Sequence, residues 1–295
     1  MKLQTNSIAV VLAPPIGDSL IGMVLVNNLI RNGHNPIVFG WVAEQLSEWF
    51  PQVTIGRLDS YRKSFDTVIE FRATGEGSAL SRSGRTICIS ELPEYRGSKH
   101  MIDRVVDVAS NFLQLRDVTR SNGITVPSRV SVGRYPDRVA IHPTGSHPEK
   151  MWSQRKFISL ARSLSASNLQ PCFLVAPGEL SAWSDYAASG HDIKAHASLS
   201  DVATAIAESG WFIGNDSGLG HIASSIGVPT LSLFMRRGLA RAWRPGWGPG
   251  IVALPPDVVP SSALKELLWK RLLSVRRVLS RFHALRAVSA STKSS

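Results

Sequence analysis

Gly214-Asn215-Asp216-Ser217-Gly218-Leu219-Gly220-His221 stands between two apolar segments. Trp211-Phe212-Ile213 leads into it, and Ile222-Ala223-Ser224-Ser225-Ile226 follows with helical spacing. Val228-Pro229-Thr230-Leu231-Ser232-Leu233-Phe234 comes next. The order predicts strand, glycine-rich turn, helix, strand. A turn of this kind leaves backbone N–H groups unsatisfied at a helix N-terminus, where the helix dipole also favours negative charge. Asp216 and His221 flank the seat. The pattern points to a ligand carrying a diphosphate.

The same alternation runs through the chain. Strands are predicted at Ser7–Leu12, Asn35–Gly40, Asp66–Phe71 and Arg85–Ser90, with helices at Asp18–Arg31, Val42–Phe50 and Lys99–Arg116. From Ser121 to Asp137 the period fails and Gly123, Pro127, Gly133 and Pro136 accumulate, which predicts a linker. Beyond it, strands at Arg138–His142, Pro171–Ala176, Trp211–Gly214 and Val228–Phe234 alternate with helices at Gln154–Ala166, Glu179–Ser189 and Ser200–Ser209. The last of these helices starts on a cap at Ser200 or Asp201. A long helix from Ser261 to Phe282 closes the chain. Two successive α/β units predict two doubly wound domains facing a cleft, residues 1–130 and 131–295, with ligands at the carboxyl ends of the strands.

The chain has 295 residues, 43% of them hydrophobic, enough for two ordinary domains. Cys88 and Cys172 are far apart without metal-ligand spacing and read as core thiols of a reduced compartment. The early apolar run Ile8–Ala13 lacks a cleavage site and is far shorter than the roughly 20 residues that span a bilayer. A cytoplasmic protein is expected. Residues 236–295 carry twelve Lys and Arg against two acids, Asp257 and Glu266, and so hold +10 of the net charge of +11. That concentration argues for one basic face near the C-terminus rather than a general nucleic-acid binder.

Several residues at strand-to-helix junctions have two readings each. Asp18, in Ile16-Gly17-Asp18-Ser19-Leu20, is a first-turn helix acid or a general base held at a glycine turn. Lys150 lies in the loop His142-Pro143-Thr144-Gly145-Ser146-His147-Pro148-Glu149-Lys150. It is a solvated lysine or a cation set on a phosphate, with Thr144 and Ser146 donating hydrogen bonds. Glu179, after Pro177-Gly178, is a first-turn acid or a ligand for a ribose or base. Asp216 is a helix cap and His221 a core histidine unless the turn holds a ligand. No Gly-x-Ser-x-Gly elbow, Gly-Lys-Ser/Thr phosphate loop, His-Glu-x-x-His or Asp-x-Asp occurs, and the first turn lacks Gly-x-Gly-x-x-Gly. Those absences remove the serine-hydrolase, P-loop, zincin and metal-held sugar-nucleotide signatures.

Taken in order, these motifs resemble glycosyltransferase family nine, the lipopolysaccharide heptosyltransferases. Gly17-Asp18-Ser19-Leu20 is similar to an early Gly-Asp element. Ala140-Ile141-His142-Pro143-Thr144-Gly145 with Lys150-Met151-Trp152 and Phe157 is similar to a His-Pro-Gly…Lys-x-Trp…Phe element. Phe212 to Ala223 resembles an Asp-Thr/Ser-Gly-x-x-His-x-Ala signature, and Gly227-Val228-Pro229-Thr230-Leu231 the strand after it. The resemblance implies a GT-B-like α/β fold of two Rossmann-like domains, the first for acceptor and the second for nucleotide-sugar. It implies inverting transfer without a metal or other cofactor, from a donor such as ADP-heptose to a lipopolysaccharide-core or similar glycan. Asp18 is then the base and Lys150 the cation on the leaving diphosphate. Ser217, Gly218 and Leu219 cradle that diphosphate beside Asp216 and His221, Thr144, Gly145 and Ser146 line the donor loop, and Glu179 holds the ribose. The chain departs from the family where Ala13-Pro14-Pro15 replaces a Lys or Arg, and where Met235-Arg236-Arg237-Gly238 stands for Gly-Pro-Thr-Asp.

The closing segment, a basic helix over 261–287, has Leu264, Leu267, Leu268, Leu272, Val275, Leu279 and Phe282 near one face. It packs across the fold with its basic face solvated, or docks on anionic lipid at the inner face of the inner membrane or on a phosphorylated acceptor. Two other functions share the scaffold: a non-catalytic module that binds a sugar nucleotide or a partner, and a sugar-nucleotide epimerase or hydrolase.

Overall fold

A computed structural model describes residues 7–83, 86–188, 192–257 and 262–293. The chain forms two compact units, Met1–Pro127 and Ser128–Ser295. In the first, β1 (Ile8–Val11), α1 (Ile16–Arg31), β2 (Ile37–Phe39), α2 (Trp41–Gln45), β3 (Thr54–Gly56), β4 (Thr67–Glu70), α3 (Glu76–Leu80), β5 (Ile87–Cys88) and α4 (Met101–Asp107) follow in order. The five strands pair in parallel as β3-β2-β1-β4-β5. Every residue of β1 is buried, as befits a central parallel strand covered on both faces.

The second unit contains β6 (Tyr135–His142), α5 (Gln154–Ser165), β7 (Gln170–Val175), α6 (Ser184–Ala188), β8 (Asp192–Ala195), α7 (Leu199–Ala207), β9 (Ser209–Asn215), α8 (Gly218–Ser225), β10 (Thr230–Leu233), α9 (Arg237–Trp243), β11 (Gly250–Ala253), α10 (Ser262–Leu272) and α11 (Val275–Lys293). Its parallel sheet has the order β11-β10-β9-β6-β7-β8. Counted from its own first strand, each sheet has the doubly wound order 3-2-1-4-5, continued by a sixth strand in the second unit. The strand order therefore reverses between β1 and β4 in one unit and between β6 and β9 in the other. A crevice for ligand opens at such a reversal.

The predicted strands and helices form with corrected bounds. β6 begins at Tyr135, inside the predicted linker, and β3, β8, β11, α3 and α9 are elements the periodicity did not predict. The predicted helix at Lys99–Arg116 ends its α-form at Asp107 and continues as a single π-turn, Val108–Phe112. The Glu179–Ser189 helix is a 3₁₀ run, Pro177–Trp183, followed by α6, and Ser189 lies outside the described residues. Arg85 and Ser261, at the predicted starts of a strand and of the closing helix, also lie outside them. α7 is capped by Ser198 rather than Ser200 or Asp201, its hydroxyl accepting from the Asp201 N–H at 3.1 Å. Cys88 and Cys172 are free and buried, and burial pushes the Cys172 thiol up to about 12.

The closing helix is two helices, broken at Leu273-Ser274. Its buried residues are Trp269, Leu273, Val278, Phe282 and Leu285, whereas Leu267 is 74% exposed. One face could not extend through 22 residues because the break resets the helical phase. Lys156 of α5 holds the break: its Nζ donates to the carbonyls of Lys270, Arg271 and Leu273 at 2.6, 3.0 and 2.9 Å. A cation there satisfies the orphan carbonyls at the end of α10.

Candidate functional site

In the second unit the site grows from the pairing of β6 with β9. Gly214 lies opposite His142 in the register. A Cβ on Gly214 would stand 2.9 Å from the Phe212 ring and 3.3 Å from His142 Cβ. Glycine thus leaves room for the Phe212 ring and the His142 side chain at the strand end. Just beyond, Asn215 ties down the whole polar loop between β6 and α5. Its Oδ1 accepts from the Trp152 N–H at 2.9 Å, and its Nδ2 donates to the carbonyls of Pro143 and Thr144 at 2.8 and 3.2 Å. Asn215 is 1% exposed, so all three bonds are shielded from water.

His142 then links the two sides of the switch point. The Thr144 hydroxyl donates to Glu179 Oε2 at 2.9 Å, which commits its only proton. Its oxygen therefore accepts from His142 Nε2–H at 3.2 Å. That places the imidazole proton on Nε2 and makes Nδ1 the acceptor of the Ser217 hydroxyl, 3.0 Å away. Burial pushes the imidazole down to about 4, against the Glu179 carboxylate, which raises it. A neutral ring is what this tautomer needs. The Ala176 N–H completes the chain by donating to Glu179 Oε2 at 2.8 Å.

Ser217 occupies the N-cap position of α8 without capping it by side chain. Its hydroxyl bonds His142, so it does not cap the first N–H groups of α8, those of Gly218 and Leu219. Lys150 ends the 3₁₀ turn Pro148–Lys150, and its Nζ lies 3.5 Å from Asp216 Oδ2. Burial pushes the Asp216 carboxyl above its ordinary value, opposed by Lys150. The lysine turn is braced from behind by α10: Trp269 Nε1 donates to the Glu149 carbonyl at 2.9 Å and Lys270 Nζ to that of Pro148 at 2.6 Å. Trp152 Nε1 donates to the Leu273 carbonyl at 3.0 Å.

The structure thus joins Thr144, Glu179 and Ser217 in one network and pairs Lys150 with Asp216 beside it. Ser146 is exposed on the loop, and Gly145 has room for a Cβ, its closest neighbour being Met151 Cγ at 3.7 Å. His221 is 4% exposed and meets the Trp247 ring edge-on at 6.0 Å, a core placement. His142 and Asn215 were not singled out by sequence. Both end strands, and a polar residue closing an apolar strand at a switch point was the available signal.

In the first unit Asp18 lies in the first turn of α1, its side chain 10% exposed. Arg72 Nη2 donates to its Oδ2 at 2.6 Å. Arg72 follows β4, which pairs with β1 as Val11 opposite Glu70. The same kind of switch point therefore carries this pair. The Tyr95 phenol is pushed up by burial and then by the Asp18 carboxylate. Glu70 is buried and accepts from the Gly77 N–H and, at 3.4 Å, the Thr74 hydroxyl. A Cβ on Gly77 would collide with the Glu70 carboxyl at 2.6 Å. Arg72, Tyr95 and Glu70 are additions to the sequence reading.

Among the described residues no group of three His, Cys, Asp or Glu side chains is placed to hold a metal, and no helix is long and apolar enough to cross a membrane.

Solved structures similar to this chain share its whole length. A family 9 glycosyltransferase from Veillonella parvula superposes with a TM-score of 0.74 at 16% identity, over 97% of this chain and 99% of its own. ADP-heptose LPS heptosyltransferase II of E. coli gives 0.72 at 13% identity over 96% and 99%. E. coli heptosyltransferase WaaC, solved with ADP, gives 0.70 at 14% identity over 94% and 99%. These likenesses establish the GT-B-like fold, and the enzymes they describe are glycosyltransferases. No curated protein sequence matches the chain. The family model for glycosyltransferase family 9 (heptosyltransferase) matches residues 85–245, more than half of the sequence, and with the two parallel α/β units around these switch points the chain belongs to that glycosyltransferase family.

Proposed function

We propose that this glycosyltransferase moves a heptose or a related sugar from an ADP-sugar to a glycan acceptor of the lipopolysaccharide-core type, with inversion and without a metal ion. The observation that carries this reading is the Lys150–Asp216 pair beside the uncapped N–H groups of α8. In transfer from a nucleotide diphosphate, negative charge grows on the leaving diphosphate. Fixed donors and a cation placed for that charge lower the barrier without reorganising. Lys150 moves from Asp216 to the diphosphate, and the N–H groups of Ser217, Gly218 and Leu219 receive its oxygens. Glu179 keeps one oxygen for the ribose, its other being held by Thr144 and Ala176. Asp18 takes the proton of the acceptor hydroxyl, held in orientation by Arg72. The first unit receives acceptor and the second receives donor, at the cytoplasmic face of the inner membrane. The ADP and ADP-2-deoxy-2-fluoro heptose complexes of WaaC support the choice of nucleotide.

Thermal stabilisation by ADP, UDP, GDP and CDP, with and without magnesium, tests the donor. Stabilisation by ADP alone, unchanged by magnesium, is the expected result. Conversion of ADP-heptose without acceptor would instead mark an epimerase or hydrolase, and nucleotide binding without any turnover a non-catalytic relative.

A further inference from the structure

Next to the turn of β9, the carboxyl ends of β10 and β11 open on a second concave site built within the same unit. It is a cavity of about 490 Å³, within the range of small-ligand pockets. Four arginines line it: Arg236 and Arg237 from the end of β10, and Arg277 and Arg281 from α11. Asp257 is the acid among its lining residues. Glu266 pairs with Arg236 at 2.9 Å, and against it and Asp257 the four arginines keep an excess of two positive charges.

Two of these arginines are set in place. Arg277 Nε donates to the Leu254 carbonyl at 2.7 Å and Arg281 Nε to that of Val252 at 3.2 Å. A guanidinium has five N–H donors, so each anchor leaves four, carried on the Nη atoms. The two residues are one helical turn apart, which stacks like charges about 5–6 Å from each other at Cβ and costs stability unless an anion lies between them. An unanchored pair would swing apart into solvent. Here the anchors hold both forks at the cavity edge, with Arg237 in the same lining.

We propose that this cavity binds a phosphate group carried on a saccharide, separate from the diphosphate of the donor. A carboxylate is filled by one guanidinium fork, whereas a phosphate monoester offers three oxygens to several forks and a charge near −2. Adjacent strands are about 4.8 Å apart, so the cavity lies roughly 5–10 Å along the sheet edge from the α8 turn. That spacing suits a phosphorylated sugar next to the one being transferred. The role in transfer rests on the function proposed above; the binding of phosphate does not.

The test is a calorimetric titration of glucose 1-phosphate into the full chain saturated with ADP, with glucose as the neutral control. The wild type is expected to bind glucose 1-phosphate saturably, not glucose, and more weakly as salt is raised. Arg237→Glu, on an exposed side chain, should weaken this binding tenfold or more, and Arg277→Gln with Arg281→Gln at least as much, while ADP affinity stays within twofold. A second arm uses phosphatidylcholine vesicles containing phosphatidate. Pelleting of the wild type, lost in Arg237→Glu, without saturable binding of glucose 1-phosphate assigns the phosphate to a lipid headgroup and overturns the proposal; saturable binding of glucose 1-phosphate without pelleting supports a saccharide source. No saturable binding in either arm, or equal binding by wild type and Arg237→Glu, overturns the proposal. Failure of ADP to bind would instead count against the donor seat and leave the glucose 1-phosphate titration to decide the cavity.

Discussion

Ser217 and Glu179 stand at the two ends of one hydrogen-bond chain that runs through His142 and Thr144. Every donor in it points the same way, from the serine hydroxyl toward the carboxylate. The direction is set at the Glu179 end, where a carboxylate only accepts. One consequence is that the helix turn and the proposed ribose ligand are positioned together, and breaking the middle loosens both. His142→Ala should weaken ADP binding about 5- to 30-fold, the cost of roughly one to two lost hydrogen bonds. Titration calorimetry with ADP measures it, and an affinity equal to wild type would remove the chain from the site.

The same histidine predicts a dependence of stability on pH. Its native value, about 4, lies below the ordinary 6.5. Between those values the unfolded chain binds the proton and the native chain does not. The stabilisation is therefore complete above about pH 6.5 and is lost as pH falls toward 4, about 3 kcal/mol in all. Urea unfolding of wild type and His142→Gln across this range isolates the contribution. The gap between them should narrow as the pH drops; a constant gap contradicts the assignment.

Lys150→Ala should lower kcat/KM by about 10²–10³, the scale of removing a preorganised charge from a transition state. It also strands Asp216. A carboxyl whose native value is raised binds its proton more readily when folded, so the stability it contributes is present in acid and lost as pH rises. The variant should lose stability relative to wild type as pH climbs above the ordinary carboxylate range. Denaturant midpoints read this, independently of the assay for transfer.

Asp18→Asn should reduce kcat by about 10²–10⁴ with ADP binding intact, as expected of a lost general base. Arg72→Ala should have a smaller effect on kcat and leave KM for the donor unchanged, because Arg72 acts by orienting Asp18. Activity of the double variant separates the two readings. If Arg72→Ala still lowers kcat in the Asp18→Asn background as much as it does alone, Arg72 acts by a route other than Asp18.

Gly214→Ala should destabilise the second unit by about 1–3 kcal/mol, since the added methyl meets the Phe212 ring and His142 Cβ in a packed core. Thermal unfolding in the absence of nucleotide gives the value.

The readable part of this molecule is the part dictated locally. Apolar runs of four to eight residues between glycine and proline punctuation mark the central strands, and β1, β6, β9 and β10 were legible for that reason. Edge strands such as β3, β8 and β11 were not, because Thr54–Gly56, Asp192–Ala195 and Gly250–Ala253 are short and are strands only through their neighbours. The break at Leu273-Ser274 was hidden because the ammonium that satisfies its carbonyls, Lys156 Nζ, lies 117 residues from Leu273 in sequence. Asp216 and Ser217 were legible as a turn, whereas the partners that orient them, His142 and Asn215, emerge only when β6 lies beside β9. Arg72 owes its position to the register of β4 against β1, which no spacing along the chain encodes.

Asn215 reaches Pro143 across 72 residues of sequence. The loop that carries Lys150 is therefore held in shape only where the two central strands of the unit lie side by side, a long-range pairing. In the function proposed above, competence to hold nucleotide then reports that the unit has finished assembling. Nucleotide added during refolding should act on the last step, trapping completed molecules and raising yield without hastening collapse.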